Sequence, residues 1–198
     1  MEKKELLQSL EEKNFPKKIL DAFSKVNRED FMPRNVKAMA YEDTALPIGH
    51  GQTISQPYTI AVMLSLMDLK KDQKVLEIGS GCGYVLALLS EIVGENGRVF
   101  GIEVIRKLAE KSRENLADYE NIKVYNKNGA DGLEEKAPFD SIIISAAIRD
   151  IPEKLMAQLK VGGIIVAPKG SRFEQEIIAI QRKSKTEFEI KKKIPGFI

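Results

Sequence analysis

Three glycines alternate in EIGSGCGY, at Gly79, Gly81 and Gly83, directly after the apolar run KVLEI and ahead of the apolar segment Tyr84–Val93. Glycine admits positive φ and lets a ligand approach the backbone, and a helix starting there offers free N–H groups. Strand, glycine turn and helix in that order suit a nucleotide-like ligand. The dinucleotide fingerprint G-x-G-x-x-G fails, because its third glycine would fall on Tyr84. The pattern present is acid-x-G-x-G-x-G, opened by Glu77. A second acid, Glu103, closes the next apolar run, RVFGIE, where a carboxylate can accept hydrogen bonds from both ribose hydroxyls. The plainer reading of Glu103 is a charge favoured by the dipole of the helix that comes next.

A second stretch, LPIGHGQTISQP (Leu46–Pro57), sets hydroxyls and amides between two prolines. Ser55 is either a ligand contact or the N-cap of the helix that Pro57 opens. His50, the chain's one histidine, has no nearby His, Cys or acidic partners for a metal and reads as solvent-facing, so no metal site is expected. Cys82, the one cysteine, allows neither an internal disulfide nor a thiolate cluster and reads as a small residue of the glycine turn. Tyr84 reads as packing that turn, and Met63, Leu64 and Met67 as core.

The elements that must position these residues are set by periodicity. Leu6, Leu7 and Leu10, then Ile19, Leu20 and Phe23, recur at helical spacing on either side of Pro16, and an irregular segment comes after them. Ile60, Met63, Leu64 and Met67 share a face of the helix from Pro57. Five Val- and Ile-rich runs predict strands at Lys74–Gly79, Arg98–Glu103, Ile122–Asn126, Ser141–Ala146 and Gly163–Pro168. Helical patterns at Tyr84–Val93, Ile105–Leu116 and Ile151–Leu159 separate them, leaving the link between the third and fourth strands without a clear pattern. Near-continuous apolar strands joined by helices make a parallel sheet covered on both faces. The segment EQEIIAIQRKSKTEFEIKKK instead alternates on both sides of a polar turn and predicts an antiparallel hairpin. The expected fold class is α/β: a doubly wound, Rossmann-like, mostly parallel sheet with an antiparallel C-terminal hairpin and N-terminal helices. One domain spans residues 1–198: helices and loop over 1–55, a nucleotide-binding core over 56–168 and the hairpin over 169–198.

Net charge is +2, from 31 basic and 29 acidic residues, which does not provide the dense phosphate-neutralising surface of a dedicated nucleic-acid binder. The first residues, MEKKELLQSLEEK, lack the uninterrupted apolar core of a signal peptide or membrane span. A cytoplasmic, membrane-free monomer is expected.

The glycine turn and the acid after the second strand resemble those of class I S-adenosylmethionine-dependent methyltransferases. More specifically, NREDFMP, AYEDTALPIGHGQTISQPYTIAVM, VLEIGSGCGY, APFDSIIISAA and IPEKLMAQLKVGGIIVAP, from Arg28 to Pro168, resemble the protein-L-isoaspartate O-methyltransferases. The GQTIS segment is not part of the generic methyltransferase fold. The resemblance implies S-adenosyl-L-methionine as cofactor, held by Glu77, Gly79, Gly81, Gly83, Glu103, Asn128 and Gly129. It implies isoaspartyl (and D-aspartyl) proteins or peptides as substrate, with Ser55 catalytic, Thr53 and Ile54 beside it on the same wall, and Gln52 fixing the loop. The methyl ester would collapse to a succinimide and let aspartate re-form. The chemistry is consistent: an aspartyl-type carboxyl, with an ordinary pKa near ~3.9, is already ionised at neutral pH and needs orientation rather than a base.

Two departures from the family stand out. Its Gly-Asp-Gly after the third strand is here Lys127, Asn128 and Gly129, and a shifted alignment places Asp131 against the adenine instead. The chain also stops at KKKIPGFI, short of the family's usual last strand, which implies a short natural protein or a truncation. The alternatives are another class I methyltransferase, such as a tRNA-directed one, and a catalytically weak S-adenosylmethionine-binding adaptor. After the fourth strand SAAIRDIP lacks the Asn/Asp-Pro-Pro-aromatic signature of many nucleic-acid amino-methyltransferases. A nicotinamide-dependent dehydrogenase has the wrong glycine spacing.

Overall fold

The computed structural model describes residues 1–171 and 175–197; Arg172, Phe173, Glu174 and Ile198 lie outside the described residues, and with them the start of the predicted hairpin segment and the last residue of the chain. Two short helices, α1 (Lys3–Glu12) and α2 (Lys17–Lys25), form where the leucine and isoleucine spacing predicts them, burying Leu6, Leu10, Ile19 and Phe23. The irregular segment is ordered as two 3₁₀ turns, Arg28–Phe31 and Arg34–Met39. The stretch expected to be a loop is a hairpin: LPIGHGQTI folds into two antiparallel strands, β1 (Leu46–Gly49) and β2 (Gln52–Ile54). Its tip needs consecutive positive φ angles at Gly49, His50 and Gly51, of 94°, 53° and 70°. Two of those three positions are glycines, which take such angles without strain.

Helix α3 (Pro57–Leu66) carries Pro57 in its first turn, then leads into β3 (Lys74–Ile78). The rest alternates: α4 (Tyr84–Val93), β4 (Arg98–Glu103), α5 (Arg106–Asn115), β5 (Ile122–Asn126), β6 (Phe139–Ile144), α6 (Glu153–Ala157) and β7 (Leu159–Gly170). Then come β8 (Gln175–Arg182) and β9 (Phe188–Phe197). The strands form one seven-stranded sheet in the order β5-β4-β3-β6-β7-β8-β9. The strands from β5 to β7 in that order pair parallel, and β8 and β9 add antiparallel at the edge, as expected from the change to alternating pattern.

One core packs α4 and the N-terminal helices against one face, with Leu86, Leu88 and Leu89 fully buried. On the other face Phe100, Phe139 and Leu133 pack with Ile142 and Ile144 of β6. The link between β5 and β6 is two 3₁₀ turns, Gly129–Asp131 and Glu134–Lys136, too short for a helical period to show. Strand β7 is twice its expected length, because Leu159 already pairs with Phe139 before a register shift. The sheet reverses direction of growth between β3 and β6. A reversal of this kind opens a crevice beyond the carboxyl ends of the two strands.

Candidate active site

The crevice is floored by the turn after β3. Gly79, Gly81 and Gly83 all take positive φ, 78°, 51° and 91°. Their tasks differ. A side chain at Gly79 would press on Ala146 at 3.3 Å, and one at Gly81 on the Ile48 side chain at 3.0 Å, so these two let the turn fit between the β6 exit and the hairpin. At Gly83 a Cβ would sit 2.6 Å from Ser112 Oγ and 2.7 Å from Leu116 Cδ1. Gly83 therefore lets α4 pack on α5, and it does not line the crevice.

Glu103 ends β4 with both oxygens engaged: Gly81 N donates to Oε2 at 2.9 Å and Ile105 N to Oε1 at 2.8 Å. The carboxylate thus ties the glycine turn to the start of α5, and it still lines the open cleft. The helix-start reading of its sequence position is seen directly in the bond from Ile105 N. Glu77 is buried on β3, where Ser145 Oγ donates to its Oε1 at 2.6 Å. Burial pushes its pKa up to about 8, against the opposing pull of the Ser145 hydrogen bond. Its Oε2, like Ser80 Oγ, is buried with no hydrogen-bond partner among the described residues. Both residues line a narrow chamber under the hairpin, together with Gly79, Gly81 and Ser145. Buried polar atoms left unpaired are costly, so this chamber fits a ligand bearing polar groups.

The hairpin is the opposite wall. Thr53 and Ser55 line both the chamber and the wider cleft, and Ile54, buried, lines the chamber. Ser55 is not the helix cap that its position suggested. The N-cap of α3 is Gln56, without a side-chain cap bond, and the Tyr58 N–H is met by Asp43 Oδ1 at 2.8 Å. The Ser55 carbonyl accepts from Arg28 Nη2 at 2.8 Å, which fixes the segment in an extended exit from β2. Gln52 lines the cleft beside them, as do Gln56 and Thr59.

Other expectations sort differently. His50 stands exposed at the hairpin tip. Cys82 is buried and its thiol is pushed up to about 11 by burial, which makes it a packing residue. Tyr84 is buried in the core, its ring meeting Phe23 and Phe31 edge-on, and it also lines the chamber beside the glycine turn. Met63 is core, as expected, and is also a wall of the cleft. Asn128 is exposed and caps the 3₁₀ turn after β5, accepting from Ala130 N at 3.0 Å. Asp131, its rival for the adenine, is paired with Lys154 at 2.7 Å. Neither lines the cleft, whereas Gly129 comes close enough to β3 that a side chain would collide with Ile78. Ser145 and Arg28 were missed as individual residues. Both sit in segments that carry the family resemblance, but a lone serine after a strand and a lone arginine before a turn carry no spacing signal. No cluster of three potential metal-binding His, Cys, Asp or Glu residues occurs among the described residues.

A parallel sheet reversing over an acid-led glycine turn, with an acid closing the next strand, defines a class I S-adenosylmethionine-dependent methyltransferase fold. The family model described as protein-L-isoaspartate(D-aspartate) O-methyltransferase matches residues 1–196. The chain belongs to that family. It is 44% identical to the protein-L-isoaspartate O-methyltransferase of Methanothrix thermoacetophila over 92% of this chain and 87% of that one. With that of Dictyoglomus turgidum it shares 48% identity, over 84% of this chain and 76% of the other. Among solved structures, a protein-L-isoaspartate O-methyltransferase superposes with a TM-score of 0.91 at 29% identity, covering 99% of this chain and 64% of that longer one. A putative one from Plasmodium falciparum, in complex with S-adenosyl-L-homocysteine, gives 0.82 at 26% identity, over 98% and 94%.

Proposed function

We propose that this chain transfers the methyl group of S-adenosylmethionine to the free carboxylate of L-isoaspartyl and D-aspartyl residues in damaged proteins or peptides, starting repair through a succinimide. The observation that carries the reading is the placement of Ser55. It stands on the wall shared by chamber and cleft, with its carbonyl tied off behind and no hydrogen bond to its hydroxyl among the described residues. A hydroxyl so held can donate to a carboxylate at the mouth of the cofactor chamber.

S-adenosylmethionine, when bound, supplies an electrophilic methyl group on a sulfonium. Gly79 and Gly81 admit it by keeping the turn free of side chains, Glu103 offers its remaining lone pairs to ribose hydroxyls, and Glu77 underlies the chamber. Asn128 and Gly129 serve the adenine end. Ser55, flanked by Thr53 and Ile54, holds the acceptor carboxylate, which is already ionised and needs no general base. Catalysis is then placement and charge complementarity. The near balance of charge supports a protein substrate over nucleic acid, and no helix among the described residues is long and apolar enough to cross a membrane. The enzyme acts as a single-domain cytoplasmic monomer.

The test compares labelled-methyl transfer to an isoaspartyl peptide and to its normal aspartyl twin. Transfer confined to the isoaspartyl peptide is expected. Equal transfer to both, or none while S-adenosylmethionine binds, overturns the reading.

A further inference from the structure

Arg28 heads the fully buried side chains of the molecule, at 0% exposure, and it does not line the open cleft. Its side chain runs inward from the first 3₁₀ turn, with Nη2 on the Ser55 carbonyl at 2.8 Å and the guanidinium carbon 5.3 Å from the centre of the Tyr84 ring. Nε and Nη1 have no hydrogen-bond partner among the described residues. Arg28 enters none of the ion pairs among the described residues, and the titratable groups around it are Tyr84, Cys82, Asp43 and Tyr41. Asp43 is already engaged by the Tyr58 N–H.

A guanidinium cannot shed its proton, so burying it without a carboxylate in hydrogen-bond contact leaves its charge met by one carbonyl, one aromatic face and only the more distant Asp43. If Arg28 only stapled the turn to β2, a neutral donor would do so at lower cost. The charge makes sense where an anion completes it. The residue whose carbonyl it holds is Ser55, which opens on the chamber and cleft. In a poorly hydrated interior a positive charge acts across one residue far more strongly than it would in water.

We propose that Arg28 is the positioning residue of the acceptor-carboxylate subsite: it draws the Ser55 carbonyl inward so that the hydroxyl faces the cleft, and sets a buried positive charge behind the place where the carboxylate lands. The inference rests on the reading of Ser55 as the carboxylate contact. It differs from a structural role in what it predicts for the two ligands, because a positioning role touches the peptide and spares the cofactor.

The experiment measures peptide KM and kcat with an isoaspartyl peptide, S-adenosylmethionine affinity by calorimetry, and melting temperature, for Arg28→Met, Arg28→Lys and Ser55→Ala. Arg28→Met, which keeps an unbranched apolar stem and removes the charge, should lower kcat/KM for the peptide by about tenfold or more while cofactor affinity stays within about twofold. Arg28→Lys keeps the charge but loses the planar fork, and should fall between Arg28→Met and the unaltered enzyme, again in the peptide parameters alone. The Arg28→Met/Ser55→Ala pair should lose less than the product of the two single losses. Unchanged peptide kinetics in Arg28→Met, or peptide and cofactor parameters worsening by the same factor, overturns the inference. Should Arg28→Met fail to fold, Arg28→Lys decides alone: a peptide-specific loss supports the proposal, and no loss or an equal loss overturns it. If Ser55→Ala leaves peptide kinetics intact, the reading of Ser55 fails first. A costly Ser55→Ala beside a harmless Arg28→Met sinks only the role of Arg28.

Discussion

The two walls of the crevice are built on different principles. The floor is the turn between β3 and α4, where parallel strand ends converge, and its groups are held twice over: Glu103 by Gly81 and Ile105, Glu77 by burial and Ser145. The facing wall is a two-stranded hairpin of seven residues in its strands, held from behind by one arginine and placed before a helix that Asp43 caps from a distance. A floor made of sheet ends can keep one cofactor shape. A small hairpin pinned at few points can set which acceptor lies against that cofactor. The difference separates cofactor affinity from substrate choice, and substitutions on the two sides should separate likewise.

The largest effect is expected at the wall. Ser55→Ala should lower kcat/KM for an isoaspartyl peptide by about 100-fold, the scale of losing one oriented donor, while calorimetry finds cofactor affinity unchanged. Comparable losses of both would erase the contrast between the walls. At the floor, Glu103→Ala should show the converse, with S-adenosylmethionine binding weakened by about 30-fold, from charge-assisted bonds of about 2 kcal/mol. Peptide KM measured at saturating cofactor should hardly move.

Gly83 belongs to neither wall, and Gly83→Ala should expose that. Its positive φ and the collision with Ser112 and Leu116 should cost about 1–3 kcal/mol, read as a melting temperature lower by several degrees. Ligand affinities of the folded fraction should stay put. Glu77 tests the floor through pH. Its folded pKa, raised to about 8 from an ordinary 4.5, means that the folded form keeps a proton which the unfolded chain releases. The contribution to stability is therefore full below about pH 4.5 and lost progressively as pH rises towards 8. In the apo protein Glu77→Gln should flatten the fall of melting temperature across that window. An unchanged pH profile would mean that the carboxyl is not the group responsible. The smallest effect is expected at the adenine end: Asn128→Ala should weaken cofactor binding by up to about fivefold, one hydrogen bond, with Asp131→Asn silent. The reverse result would hand the adenine to Asp131.

Much of the floor was legible in the amino-acid sequence, because its parts are consecutive and carry local signals. Near-continuous apolar runs, glycines at alternate positions and an acid closing a strand depend on neighbours within a few residues. Strands β3, β4 and β5 accordingly fall within a residue of their expected bounds, and the antiparallel pairing of β8 with β9 comes from alternation alone. The hairpin was not legible as secondary structure, since strands of four and three residues are shorter than any periodicity can register. Ser55 had two local meanings, and only the geometry of Asp43, Gln56 and Arg28 removed the cap from the choice.

By itself, then, the order of residues determined the alternation of strand and helix, the glycine turn, the acid beyond it, and through the GQTIS and neighbouring segments the family resemblance. These are properties of short stretches, set by backbone freedom and by which face of an element is apolar. Only the tertiary structure decided that Gly83 lies tight against α5, that Ser145 reaches Glu77 across 68 positions of chain, and that Arg28 lies buried behind Ser55 across 27. Those pairings arise because the sheet reverses between β3 and β6 and the hairpin folds back over the reversal. Contacts between distant segments leave no mark on the spacing within either one.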